Sequence, residues 1–167
     1  SSTGLVLRPR RRLFADVADN PGGGGGGNTV WLLRAFADAA IPNAVLGVFV
    51  DARLAAEAHK IGEGGCFEAV FNRNEQPYAE RFVHPARVLC LCDGERVGRR
   101  GLLAGQTFSL GASALLELVG CGMQVVVGSL RRQLADPVML EMHGIDIATI
   151  GNLIVKRNHM ITPKRAG

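Results

Sequence analysis

Arg11-Arg12-Leu13-Phe14-Ala15-Asp16-Val17-Ala18-Asp19-Asn20-Pro21, continued by Gly22 through Gly27 and then Asn28-Thr29, is the stretch whose reading decides the fold. Residues 11–18 read as a strand. Residues 29–40 read as a helix in which Trp31, Leu32, Ala35 and Phe36 share one apolar stripe. A run of six glycines between the two is free to take positive φ. It also leaves backbone N–H groups uncovered beside a helix N-terminus, where the dipole favours an anion or a carboxylate. Asn28 or Thr29 can cap that helix through a side-chain oxygen. Asp16, Asp19 and Asn20 stand at the strand end of the turn, more polar chemistry than a connector requires.

Working outward, Pro42-Asn43 stops the helix, and Ala44-Val45-Leu46-Gly47-Val48-Phe49-Val50 is a continuous apolar run. Such a run fits a strand buried on both faces of a helix-covered sheet. Asp51 starts a second helix, Ala52 to Lys60, which ends at Ile61-Gly62. The order strand–helix–strand–helix makes the glycine turn the first strand-to-helix loop. Right-handed crossover then places it at the carboxyl edge of the sheet, where open α/β folds keep their sites.

From Gly64 the pattern turns β-rich. Cys66 to Phe71 alternates, residues 72–77 form a polar loop, and Phe82 to Cys92 is an extended strand bent at Pro85. Asp93-Gly94 is a hairpin signal. Residues 106–111 are extended, while residues 112–119 read as a strand with a short helix as the alternative. Residues 124–130 form a strand, Asp136-Pro137 opens a helix that ends at Gly144, and residues 152–159 form a last strand. The expected fold class is α/β: a mixed sheet with flanking helices and a β-rich middle segment near residues 64–119. Residues 1–12 read as a basic leading segment or linker, 13–160 as one domain and 161–167 as a truncated tail.

Composition narrows the functional classes. The net charge of +4 equals the contribution of Arg8, Arg10, Arg11 and Arg12, so the rest of the chain is neutral. With one Trp and one Tyr there is little to stack bases, and the arginine run reads as a solvated segment, so no nucleic-acid partner is expected. No apolar run reaches the ~20 residues of a membrane span, and no signal-peptide core is present, so no membrane is expected. Cys66, Cys90, Cys92 and Cys121 include no C-x-x-C pair, and they read as free thiols in a reducing cytoplasm. Cys90 and Cys92, two apart on a strand, share one face.

The turn admits several chemistries. Gly22, Gly24 and Gly27 satisfy G-x-G-x-x-G, and Asp51 follows the second strand, the outline of a dinucleotide fingerprint. A glycine homopolymer satisfies any glycine pattern, however, and Asp19-Asn20-Pro21 lies where a phosphate disfavours a carboxylate. Gly27-Asn28-Thr29 also lacks the lysine of a phosphate loop. A stand-alone α/β module binding a nucleotide or phosphate at the glycine turn remains the alternative. A plain flexible turn explains the glycines but not Asp16 and Asp19.

The run Asp16 to Gly24, with Gly27-Asn28-Thr29 ahead of the helix carrying Leu32-Leu33-Arg34-Ala35, resembles the C-terminal domain of the MlrC (microcystinase C) metallopeptidase family. The resemblance continues at Val125 to Arg132, at Gly144-Ile145-Asp146 and at Val155-Lys156-Arg157-Asn158-His159, and it covers about residues 7–160. The chain departs from the family pattern after His159, where Met160-Ile161-Thr162-Pro163 replaces the family's aromatic residue.

The resemblance implies the second domain of a zinc-dependent peptidase or amide hydrolase, acting on a peptide or small amide. In that family the zinc ligands lie mainly in an N-terminal metal-binding domain of the same protein. His59, His84, His143 and His159 are scattered, and no metal ligand is assigned to this chain. His84 and His143 read as structural, His143 acting favourably at a helix C-terminus. Asp16, Asp19 and Asn20 are the catalytic candidates: the two carboxylates to orient a metal-bound water, a ligand histidine or a substrate amine, Asn20 to hold an oxyanion. Gly22, Gly23, Gly24, Asn28, Thr29, Lys156 and His159 are the substrate-binding candidates.

Overall fold

The computed structural model describes residues 12–15, 30–74, 80–99, 104–130 and 137–155. In chain order the elements are β1 (Arg12–Ala15), α1 (Trp31–Asp38), β2 (Ala44–Val50), α2 (Ala52–Ile61), β3 (Cys66–Phe71), β4 (Phe82–Cys92), β5 (Glu95–Val97), β6 (Thr107–Ser109), β7 (Ser113–Leu118), β8 (Met123–Gly128), α3 (Val138–Glu141) and β9 (Asn152–Val155). A 3-10 turn, Ile147–Thr149, precedes β9. Seven strands form one sheet in the order β1-β9-β2-β8-β7-β4-β3, and β5 pairs with β6 in a second, small sheet. Strands β1, β9, β2 and β8 run parallel, while β7 and then β3 reverse direction. The fold is mixed α/β, as the alternation of strand and helix patterns predicts.

The central strands are buried on both faces, which explains their unbroken apolar runs. Leu46, Phe49, Val125, Val127 and Ile154 pack with α1 and α2, whereas Val45, Val48, Val126, Val155 and Leu115 pack with α3 and β6. Helix α2 is held at both ends by backbone chemistry. Asp51 at its N-cap accepts the Leu54 N–H, and Gly62 ends it at φ 88°, a conformation that a side chain would strain. Residues 112–119 resolve as strand: β7 has partners on both edges, and only the Glu117 side of it is not fully buried.

The sheet curls. In strand order β3 and β4 are far from β1, yet Arg34 on α1 pairs with Glu80 at 3.0 Å, donates to the Arg81 carbonyl and lies over the Phe82 ring. The Asn72 N–H after β3 likewise reaches the Asp51 carboxylate. Both contacts require the outer ends of β3 and β4 to fold back over α1 and α2, where the rings of Phe49, Phe71 and Phe82 follow one another in contact, the first pair edge-to-face.

Two local expectations change. Asp93-Gly94 does not close a hairpin back onto β4, because both edges of that strand are occupied. Cys92 pairs with Ser113 of β7, and the Leu91 N–H donates to the Glu63 carboxylate at 3.0 Å. The chain therefore leaves the sheet, and β5 finds β6 instead. At α1 the N-cap is Val30, whose side chain has no acceptor; Asn28 and Thr29, the expected caps, lie outside the described residues. Among the described residues no helix is long and apolar enough to cross a membrane.

Candidate functional site

The parallel half of the sheet gives the candidate site its geometry. Ala15 ends β1 in register with Val155, the last residue of β9, and Val155 is in register with Gly47 of β2. The chain after Ala15 leads to Asp16, Asp19, Asn20 and Gly22–Gly24, and the chain after Val155 leads to Lys156 and His159. Those residues, together with Asn28 and Thr29, lie outside the described residues. What the fold brings together is the pair of neighbouring strand ends from which both segments leave. The sequence separates them by 140 positions, and only the insertion of β9 between β1 and β2 makes them adjacent.

Asp51, at the end of β2, belongs to the same carboxyl edge. Its two oxygens accept the backbone N–H groups of Leu54 and Asn72, each at 3.0 Å. This carboxylate closes the α2 N-terminus and ties down the turn after β3. It is thus engaged with the backbone at the position where a dinucleotide fingerprint requires an acid for the ribose.

Further along the edge, β7 begins and β8 and β4 end in register: Ser113 pairs with Gly128 and with Cys92. A buried polar cluster sits there. The Ser113 hydroxyl and His143 Nε2 are 2.9 Å apart, and His143 Nδ1 lies 2.8 Å from the Met139 carbonyl. A carbonyl only accepts, so Nδ1 carries the proton, and Nε2 accepts from the Ser113 hydroxyl. The Ser113 carbonyl in turn accepts from His59 Nε2 at 3.0 Å. The Cys92 thiol donates to the Met142 carbonyl at 3.1 Å, with the Cys90 sulfur 3.9 Å away. Burial pushes the Cys92 thiol up to about 11, with Cys90 and Glu63 adding to the shift and Arg96 opposing it.

A serine hydroxyl on a histidine nitrogen has the outline of a nucleophile and its base. Here both side chains are sealed from solvent, Ser113 at 0% and His143 at 1% exposure, and Nδ1 faces a backbone carbonyl rather than a carboxylate. The pair is a clamp that fastens the exit of α3 to the start of β7. Sequence reading missed it because nothing links residues 113 and 143 before folding. His143 does sit at a helix C-terminus, as expected, but it bonds the last turn as a neutral ring and not as a cation. Burial lowers its pKa below the usual value of 6.5; the bond to Met139 opposes that shift and Arg96 reinforces it. His84 lies outside this cluster, half-buried, with Nδ1 2.9 Å from the Pro85 carbonyl and its ring stacked on Phe82.

This gives a pH prediction with a defined sign. Above the unfolded value of 6.5 His143 is neutral in both states, and its contribution to stability is complete. As the pH falls below that value the unfolded chain takes up a proton that the folded chain refuses, so stability is lost until the folded pKa is reached. The slope from this residue is at most about 1.4 kcal/mol per pH unit. Urea unfolding between pH 7.5 and pH 5 measures it, and His143→Gln should flatten the profile relative to the unsubstituted chain.

Among the described residues no group of three or more His, Cys, Asp or Glu side chains is placed to hold a metal ion. The described part of this edge therefore does not fit a resident metal.

The comparisons with known proteins bear on the domain as a whole. The family model described as "MlrC C-terminus" matches residues 14–165. A crystal structure at 2.13 Å resolution, described as "Putative metallopeptidase from MESORHIZOBIUM SP. BNC1", superposes with a TM-score of 0.75 at 20% identity. The superposition covers 88% of this chain and 30% of that one, so the chain spans about a third of the length of its structural relative. At that identity the likeness shows a shared fold. No curated protein matches the chain.

Proposed function

The chain belongs to the MlrC C-terminus family, and from that membership we propose that it is the C-terminal domain of a metal-dependent peptidase or amide hydrolase. In this reading its sheet edge shapes the substrate side of a cleft whose metal centre, zinc by family resemblance, is held by a preceding N-terminal domain. The observation that carries the reading is the register of Ala15 with Val155. Two segments rich in polar residues, 16–29 and 156–159, leave adjacent parallel strands at one level, at the edge where α/β sheets keep their ligands. The coverage of 30% of the structural relative supports a domain that works as part of a longer protein.

Each residue is assigned a role that its chemistry supports. Asp16 and Asp19 hold and orient a cationic or N–H-bearing partner, either a side chain of the preceding domain or a substrate amine. Asn20 and the N–H groups of Gly22, Gly23 and Gly24 stabilise developing negative charge on a cleaved amide. Lys156 and His159 balance a substrate carboxylate, and Asn28 and Thr29 offer further polar groups to the substrate. Peptides or small amides are the substrate class. The four cysteines are free, which supports a reducing compartment such as the cytoplasm.

The nucleotide reading is less well supported, since Asp51 is committed to backbone N–H groups. One experiment separates the two. The isolated chain, supplied with zinc and linear peptides, should show no turnover, and calorimetry with NAD, ATP and inorganic phosphate should show no saturable heat. Turnover by the chain alone overturns the division of labour between domains; saturable nucleotide binding overturns the peptidase reading.

A further inference from the structure

Cys90 and Cys92 are the two thiols in contact in this domain, and no role proposed above uses them. Their sulfurs are 3.9 Å apart, both on the face of β4 that packs toward α3. The register shift between Val88 and Cys90 turns Cys90 onto that face, so both sulfurs converge on the exit of α3. Cys90 is half-buried and reachable from solvent, whereas Cys92 is buried at 8% exposure with its S–H on the Met142 carbonyl. One accessible thiol beside one protected thiol is the arrangement of a peroxide-sensitive pair, in which the first sulfur is oxidised and the second resolves it.

We propose that Cys90 and Cys92 form a modification site for hydroperoxides, closing to a disulfide that releases Met142 from β4. The Cys90 sulfur attacks one oxygen of the peroxide, the O–O bond breaks, and the other oxygen leaves as water or an alcohol, taking the Cys90 thiol proton. Cys90 is then a sulfenic acid. The Cys92 sulfur attacks the Cys90 sulfur, the S–O bond breaks, and the departing hydroxyl takes the Cys92 thiol proton and leaves as water as the S–S bond forms. In sum two thiols and one hydroperoxide give one disulfide, one water and one water or alcohol.

Closing from 3.9 Å to the ~2.05 Å of a disulfide across a single intervening residue moves Cys92 and removes the S–H that Met142 accepted. Met142 is one polar tether of the segment that runs through the 3-10 turn into β9, and the Ser113–His143 bond is another. A disulfide formed under such constraint is readily reduced, so the modification is reversible by a small dithiol.

The test uses the whole chain with Cys66→Ser, which removes the exposed thiol most prone to intermolecular bridging. The protein is treated with hydrogen peroxide, denatured, alkylated with N-ethylmaleimide and weighed. The expected product has lost two hydrogens and carries one alkyl group, on Cys121; after dithiothreitol and a second alkylation it carries three. Peptide mapping should place the bridge between Cys90 and Cys92. In Cys92→Ser, Cys90 should proceed to sulfinic acid. In Cys90→Ser, whose half-buried position tolerates the change, Cys92 should remain reduced and alkylatable. Full alkylation of both thiols after peroxide overturns the proposal, as does sulfinic acid at Cys90 while Cys92 is present and free.

Discussion

In a protein that carries this domain behind the proposed metal-binding domain, Asp19→Asn is expected to lower kcat/KM by about 10- to 100-fold, the range seen when a group that orients a catalytic partner is lost. The substitution is chosen because it separates two roles. Asparagine bonds the backbone of its own turn as well as aspartate does, so a residue serving only turn geometry would tolerate it. A residue whose negative charge holds a cation or an N–H across a domain boundary would not. Asp16→Asn should behave similarly, and a loss in the double variant no larger than in either single one would mark a shared partner. Circular dichroism and thermal melting of the isolated chain should be unchanged in both variants. Unaltered kcat/KM in Asp19→Asn would remove the carboxylate from the mechanism.

Phe49→Ala is expected to destabilise the domain by about 3–5 kcal/mol, a large share of the stability of a domain this size. Phe49 is fully buried on β2, and its ring meets Phe71 edge-on with centroids 5.1 Å apart. Phe71 continues to Phe82 at 5.8 Å. The row joins the parallel half of the sheet to the curled β3–β4 end. Truncating Phe49 therefore opens a cavity at the seam and also removes the edge-to-face term. The Arg34–Glu80 pair spans the same seam but is about half exposed on both sides, and it contributes no more than ~1 kcal/mol. Chemical unfolding of Phe49→Ala and Phe49→Leu measures the effect, with leucine recovering much of the loss. A change below about 1 kcal/mol for alanine would mean that the curl is held by other contacts.

Much of the secondary structure was legible before folding because its signals are local. The apolar runs at 44–50 and 123–128 are strands because residues buried on both faces cannot alternate. Asp51 and Gly62 bound α2 through a side-chain acceptor and a positive φ, both written in single residues. Family membership was legible for the same reason, since Asp16 to Gly24 is a contiguous motif. The hairpin reading of Asp93-Gly94 failed on a non-local cause. Whether a turn closes depends on which strand edges are free, and Glu63 had already taken the open edge at Leu91.

The sequence by itself determined that this is an α/β domain with a polar, glycine-rich stretch after its first strand. The tertiary structure alone decided which distant segments share an edge. It put β9 between β1 and β2, so that the chain leaving Ala15 and the chain leaving Val155 start side by side. It also buried His143 on Ser113 and brought Cys92 against Met142. The physical reason is range. Propensity, capping and turn chemistry act over a few residues and can be read in order along the chain. Strand order, burial and the protonation of a buried ring depend on partners that only packing supplies.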